Sequence, residues 1–349
     1  MSNATGLNYY SYNKILSFNA FYNMIIGPRG DGKTFGAKKH AITKAIKKGE
    51  MFIYLRRYKE EMQVSSREFF NDIESFFPDW DFKVGGTAAY MAPASTRKEK
   101  KREWTQIGYF IALSRAQQYK SVSYEKVTTI IFDEFIIEKG AVQYLPNETT
   151  VVNNFYNTVD RYKEKTRLFM ISNAVRATNP HFIEYKIDPD KADEKGFLKY
   201  FIPDRDNPFM VVHFIDDEQF INDVKNTAFG QFISGTDYES YAVGNQFSDN
   251  HQGLISEKTP NSRYRLTLET KNGTFSIWID PDDGMYYAQS KRPGNEKIYT
   301  LIHDKMAEDK TLAEFSDKLL GGLRTAYRHA RMRFDKPSTR NAFVEIFKR

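Results

Sequence analysis

One eight-residue segment limits the folds open to this 349-residue chain more than any other. It reads Gly27-Pro28-Arg29-Gly30-Asp31-Gly32-Lys33-Thr34, after a short apolar run at 21–26 and before an alanine- and lysine-rich helical stretch at 34–47 that stops at Gly49. It fits GxxxxGK[ST] at every fixed position, a match that about one random chain in a hundred of this length would contain. Strand, glycine turn and helix in that order open a parallel α/β sheet. The glycines let the turn direct its N–H groups inward, and the N-terminus of the following helix faces the same point, so the unit is built to hold an anion. With a nucleotide such as ATP, Lys33 is positioned for the β- and γ-phosphates and the Thr34 hydroxyl for Mg²⁺.

The α/β alternation continues beyond this unit. A strand is predicted at 51–55 with Arg56 and Arg57 at its exit, and an amphipathic helix at 65–77 ending before Pro78. Strands and a hairpin are expected over 81–113, with Arg97, Lys98, Lys100, Lys101 and Arg102 at the tip. The apolar, β-branched runs at 127–132 and 168–172 read as strands buried on both faces of a parallel sheet. Prolines and asparagines among aspartates over 203–209 read as a boundary, followed by a polar, partly helical connector at 216–247. Strands then alternate at 263–270, at 274–280 after an Asn272-Gly273 turn, and at 285–289, before helices at 312–332 and 341–348. The division expected is 1–205, 206–250 and 251–349, with no internal repeat.

The second half of a nucleotide site is legible in Thr128-Thr129-Ile130-Ile131-Phe132-Asp133-Glu134. A buried strand ending in an aspartate supplies a metal-holding carboxylate, here Asp133. Successive strand-end side chains point different ways, so Glu134 can face an attacking water as general base while Asp133 faces the metal. Alone, two acids at a strand end mean a solvated terminus; about 100 residues after a complete phosphate loop they favour hydrolysis. Asn173 ends the next apolar run, either as an amide that orients water or as an ordinary strand-to-loop residue. Arg161, Lys163, Lys165 and Arg167 precede that run, and one of them could be an arginine finger, in cis or from a neighbouring subunit. Tyr9, Tyr10, Tyr12 and Phe18 precede the loop as candidates for stacking on adenine or for the core. Lys59 and Lys120 are candidates for a subunit interface or for DNA.

Composition removes several alternatives. The chain has no cysteine, which excludes disulfides, thiolate zinc sites and cysteine nucleophiles. Its six histidines lack metal-ligand spacing. No run approaches the ~18 apolar residues that span a bilayer, and the start lacks a signal-peptide pattern, so a cytoplasmic protein without membrane contact is expected. Net charge is +6, and from Gly322 onward eight basic residues face two acids, an excess equal to that of the whole chain. Such a tail is either a solvated face or a surface for a polyanion such as nucleic acid.

Taken in order, these features resemble a known family. The phosphate loop with its internal Arg29, Tyr54-Leu55-Arg56-Arg57-Tyr58-Lys59, Ile131-Phe132-Asp133-Glu134-Phe135 and Leu145-Pro146-Asn147-Glu148 recur together. So do Thr158-Val159-Asp160-Arg161, Ile171-Ser172-Asn173-Ala174-Val175, Phe229-Gly230 through Gly235-Thr236, and Asn245-Gln246-Phe247. The set resembles the DNA-packaging motor ATPases of small, protein-primed, short-tailed bacteriophages, over nearly the whole chain and more weakly after residue 250. The resemblance implies a P-loop ATPase domain of the additional-strand, catalytic-glutamate class, a small linker domain and a C-terminal RNase H-like domain. It implies a homo-oligomeric ring, typically a pentamer, that drives double-stranded DNA through the portal into a preformed procapsid in the host cytoplasm, with a structural packaging RNA as a further partner. Carried over by residue, Lys33 and Thr34 match phosphate and metal ligands, Asp133 the metal-holding acid, Glu134 the catalytic acid, Arg161 a finger supplied in trans, and Lys59 and Lys120 interface positions.

The C-terminal region departs from a working nuclease. Two-metal cleavage needs clustered carboxylates, whereas Glu269 stands alone near a strand end and Asp280, Asp282 and Asp283 surround the Pro281 turn. A nuclease-dead fold reused for binding is expected. The rival readings are a terminase-type motor with an active nuclease, and a nucleotide-switched nucleic-acid-binding module without motor activity.

Overall fold

The computed structural model describes residues 9–137, 143–173, 179–215, 218–236, 254–294, 298–308, 310–329 and 331–348. The chain forms two compact units, Met1–Val175 with Asp190–Gln246, and Arg176–Pro189 with Phe247–Arg349. Ala174, Val175, residues 237–250 of the expected linker, the Asn245-Gln246-Phe247 motif and Arg349 of the basic tail lie outside the described residues.

The first unit is built on a nine-stranded sheet in the order β3-β4-β5-β2-β6-β7-β1-β9-β8. Its parallel centre comprises β5 (Thr105–Ala112), β2 (Met51–Arg56), β6 (Val127–Asp133), β7 (Arg167–Asn173), β1 (Tyr22–Gly27) and β9 (Met210–Phe214). β7 lies between the phosphate-loop strand β1 and the acid-bearing strand β6, pairing Gly27 with Asn173 and Asp133 with Ile171. Antiparallel strands close both sides: β3 (Trp80–Gly85) and β4 (Ala88–Pro93) beside β5, and β8 (Phe197–Tyr200) beside β9. The central strands are apolar because helices cover both faces. Ile25, Phe52, Ile131 and Phe169 on the sheet pack with Ala37, Ala41 and Ile42 of α2 (Lys33–Lys48).

Two sequence expectations change in this unit. The helix expected at 65–77 is instead α3 (Lys59–Arg67), followed by turns and a single 3₁₀ turn at Glu74–Phe76. Glu61 starts it early by accepting from the Tyr58 N–H at 3.3 Å. It ends early because the adjacent Phe69 and Phe70 are both drawn into the core, where Phe69 stacks on Phe52 and Phe70 on Phe82. As expected, the basic run at Arg97–Arg102 lies at the tip of a hairpin, the one that joins β4 to its antiparallel neighbour β5. The boundary expected at 205 falls inside the sheet, since residues 203–209 form the turn that returns β8 to β9, and β9 pairs with β1. Beyond the sheet follow α6 (Glu218–Lys225) and α7 (Ala228–Phe232), with Phe229 and Phe232 exposed.

The second unit holds a five-stranded sheet in the order β13-β10-β11-β12-β14. β10 (Arg263–Thr270), β11 (Gly273–Ile279) and β12 (Tyr286–Gln289) form an antiparallel meander; β13 (Ile298–Thr300) is parallel to β10 and β14 (Met332–Phe334) parallel to β12. Gly273 already pairs with Thr270, so the turn residues are Lys271 and Asn272. The helix expected to reach Met332 ends at Arg328, because Met332 and Phe334 are buried as strand residues. The last helix starts at Pro337, whose fixed φ suits a first helical position. Leu268, Ile277, Phe334 and Phe343 form the core. Arg340 of the basic tail is buried rather than solvated, donating to Asn341 Oδ1 and to the Tyr327 hydroxyl.

Candidate active site

The phosphate loop leaves β1 at the C-terminal edge of the parallel sheet and enters α2. Gly30 and Gly32 have φ of +85° and +84°, a left-handed conformation that costs other residues about 1–2 kcal/mol. Pro28 is buried and Arg29 is exposed at the tip. The Lys33 ammonium, 4% exposed, donates to the Pro28 carbonyl at 2.6 Å and to Asp31 Oδ1 at 2.9 Å. Burial lowers the Lys33 pKa, and the Asp31 and Asp133 carboxylates oppose that shift. Incoming phosphates therefore compete with an internal carboxylate for this lysine.

β6 brings its paired acids to the same edge. Asp133 Oδ1 accepts from the Thr34 hydroxyl at 2.9 Å, and Oδ2 accepts from the Tyr54 hydroxyl at 2.7 Å. A hydroxyl and a carboxylate side by side are hard oxygen donors, and Mg²⁺ takes one or two carboxylates together with substrate phosphates and water. The donor set therefore fits Mg²⁺ held between nucleotide and protein. Among the described residues no three or more His, Asp or Glu side chains group to hold a metal on their own. A cavity of about 380 Å³ lies over the loop, lined by residues 30–35 with Tyr9, Asp72, Phe76 and Asn173. Of the four aromatics before the loop, only Tyr9 faces this cavity. Tyr12 is buried and donates to the Lys33 carbonyl at 2.6 Å, Tyr10 bonds His213, and Phe18 packs on Phe197.

Glu134 follows Asp133 with φ of +56°, an unfavourable conformation for a glutamate, and its side chain is 62% exposed. Two arginines hold it. Arg56 Nη2 donates to Glu134 Oε2 at 2.5 Å and Arg56 Nη1 lies 3.5 Å from Asp133 Oδ2. Burial disfavours the Arg56 charge, but Glu134 and then Asp133 outweigh it and raise the pKa. Arg57, 2% exposed, donates to the backbone carbonyls of Glu134 and Phe135 and forms a two-point ion pair with Glu148, which is fully buried. Glu148 opens α4 (Glu148–Asp160). Tyr54, Arg56, Arg57 and Glu148 carry no role in the sequence-based expectations. The available signal was the Arg-Arg pair ending a strand whose register, Leu55 opposite Phe132, sets it beside the acids.

The remaining candidates separate. Asn173 ends β7 opposite Gly27 and lines the cavity. Lys59 starts α3 just past the exit of β2, on the phosphate-loop edge, and is exposed. Arg161 caps the end of α4 at the opposite edge, one strand length of about 20 Å away at 3.3 Å per residue. Its side chain therefore cannot reach its own phosphate loop. It donates to the Val122 carbonyl, two residues from exposed Lys120, so Arg161 and Lys120 share the far edge. The turn carrying Arg161 is held by Asp160, 3% exposed, whose carboxylate accepts from the N–H groups of Glu164, Lys165 and Thr166 at 2.9–3.0 Å. That grip supports positive φ at Arg161, Tyr162 and Glu164.

Sheet order, phosphate loop and paired acids define a P-loop nucleotide-binding protein of the ATPase type. The comparisons are more specific. The family model for the podovirus DNA encapsidation protein (Gp16) matches residues 5–349, and the chain belongs to that family. The DNA packaging protein of Bacillus phage phi29 is 33% identical over 344 residues, covering 98% of this chain and 97% of that protein. In the solved phi29 viral genome packaging motor assembly, a chain 31% identical superposes with a TM-score of 0.67, covering 97% of this chain and 98% of its own. The N-terminal domain of the phi29 DNA packaging ATPase is 37% identical, with a TM-score of 0.51 over 60% of this chain and 96% of that domain.

Proposed function

We infer that this protein uses ATP to drive packaging of a double-stranded DNA genome, working as a ring of identical subunits. One observation carries the ring: the nucleotide site with Lys59 and the turn bearing Arg161 with Lys120 occupy opposite edges of one sheet. Contact between unlike edges is heterologous, and such contacts form a ring where the rotation from one subunit to the next closes. Each subunit then completes its neighbour's site. Family membership supports a pentamer, docking on the portal of a procapsid in the host cell, and a structural packaging RNA as a partner.

In this reading the loop N–H groups and Lys33 hold the β- and γ-phosphates, and Thr34 with Asp133 would hold Mg²⁺, which would supply neutralisation of phosphate charge. Asn173 orients the attacking water. Arg56 occupies Oε2 of Glu134, leaving Oε1 to accept the water's proton. The water oxygen bonds the γ-phosphorus, the bond to the β–γ bridging oxygen breaks, and ADP and phosphate result. Arg161 of the adjacent subunit stabilises the charge that develops, an effect worth about 10³–10⁵ in rate for such fingers.

For the second unit we propose an inactive RNase H-like fold kept for nucleic-acid binding, joined to the ATPase sheet by the helical segment that begins at α6. The antiparallel meander with a parallel strand beside its first member supports the fold. The acids are otherwise engaged: Asp280 accepts from the Thr259 hydroxyl and the Asp282 N–H, and Glu269 pairs with Lys305 at 2.8 Å.

The test is subunit mixing. Glu134→Gln subunits keep a good finger and Arg161→Ala subunits keep a good site, so each alone should lose duplex-stimulated ATP turnover and the mixture should regain a substantial part. If no ratio of the two recovers turnover, the shared-site reading is wrong.

A further inference from the structure

The β4–β5 connection carries the sequence Arg97-Lys98-Glu99-Lys100-Lys101-Arg102, whose five basic residues divide into two groups around one exposed acid, Glu99. The two arginines are structural. Arg97 grips both oxygens of Asp81, Arg102 binds the same carboxylate at 2.6 Å, and Arg102 also donates to Thr96 Oγ1 and the Pro93 carbonyl. Its guanidinium covers one part of the Trp104 ring at 4.6 Å while Lys83 lies 4.1 Å from the same ring. One carboxylate and one indole thus pin both ends of the loop. Lys98, Lys100 and Lys101, between the pinned ends, are exposed, and none of the three forms an ion pair among the described residues.

We propose that Lys98, Lys100 and Lys101 form a contact surface for the phosphate backbone of duplex DNA. The three lie within four consecutive residues, at most about 11 Å of chain, enough for neighbouring phosphates that advance about 3.4 Å along the axis per strand. Holding the loop ends fixed reduces the ordering cost of binding. The partner chemistry follows from what the tip lacks. Single-stranded or looped RNA is recognised by stacking and base edges, but the nearby indole is already covered by Lys83 and Arg102. Ammonium groups alone read phosphates without regard to sequence, which suits a duplex passing through in any sequence. The proposal rests on the packaging reading above and adds a site to it.

The test is binding of the full-length protein to a 30-base-pair duplex of arbitrary sequence, followed by anisotropy across a salt series. Releasing about 0.9 counterions per phosphate contact predicts that Lys98→Gln/Lys100→Gln/Lys101→Gln lowers the slope of log K against log salt by about 2.7, weakening binding at 0.1 M salt by on the order of 10²-fold. DNA-independent ATP turnover should be unchanged, since none of the three contacts the nucleotide site. Lys47→Gln/Lys48→Gln, removing two exposed charges from the end of α2, should leave the slope within about 0.5. An unchanged slope in the triple variant overturns the proposal. So does an equal loss per charge in the α2 variant, or a slope change seen with structured RNA and absent with duplex DNA. If the wild type neither binds duplex nor responds to it in ATP turnover, the packaging reading itself has failed.

Discussion

Replacing Glu148 by glutamine probes how the protein holds its candidate catalytic glutamate. Arg57 and Glu148 are 2% and 0% exposed, joined at 2.7 and 2.8 Å, and Glu148 also accepts from the Leu145 N–H at 2.9 Å. Glutamine keeps the shape and removes the charge, leaving a buried guanidinium uncompensated, a defect that costs about 3–5 kcal/mol. For a unit of this size each kcal/mol lowers Tm by about 2–4 °C, so a fall of roughly 6–20 °C is expected by calorimetry at pH 7. Replacing both partners, Arg57→Met with Glu148→Leu, should recover much of that loss, because no unpaired charge remains. Turnover should not recover with it. Arg57 also donates to the carbonyls of Glu134 and Phe135, and Glu134 holds a left-handed conformation costing about 1–2 kcal/mol that relaxes when those bonds go. The double variant should therefore fold well and hydrolyse ATP poorly. A Tm within about 2 °C of wild type for Glu148→Gln, or wild-type turnover in the double variant, would refute the reasoning.

Two further outcomes can be checked. Asp160→Asn weakens the grip on the Arg161 turn at a cost of about 1–3 kcal/mol; it should behave as a finger-donor defect, rescued by Glu134→Gln subunits and not by Arg161→Ala subunits, whereas equal failure with both would count against it. His213 is stacked on Phe197 with its pKa lowered to about 4 by burial, so its neutral form is favoured on folding. The contribution is complete above pH 6.5 and is lost as pH falls toward 4, amounting to about 2 kcal/mol at pH 5; denaturant unfolding at pH 7 and pH 5 should differ less in His213→Gln than in wild type, and an identical pH dependence in both would exclude the histidine as its source.

Much of the ATPase unit was legible from local pattern. Strand, glycine turn and helix at 21–47 are specified within some twenty-five residues, and the buried runs ending in Asp133 and Asn173 needed only hydrophobicity and strand length. Structure departs from local pattern where distant groups decide. Phe69 and Phe70 left a helical pattern because Phe52 and Phe82 were waiting in the core. Residues 203–209 have the composition of a linker and serve as a strand turn because β9 finds a partner in β1. Arg340 read as part of a solvated tail and is buried.

The sequence by itself determined that a phosphate loop opens an α/β sheet and that two acids end a buried strand, because each depends on neighbours along the chain. Only the tertiary structure decided that Arg56 would meet Glu134 and Arg57 would meet Glu148, partners 78 and 91 residues apart. It also decided that Arg161 stands an entire strand length from its own nucleotide loop. Side-chain reach and burial are properties of three-dimensional neighbours, and parallel strand order, which sets those neighbours, is written in no short stretch of residues.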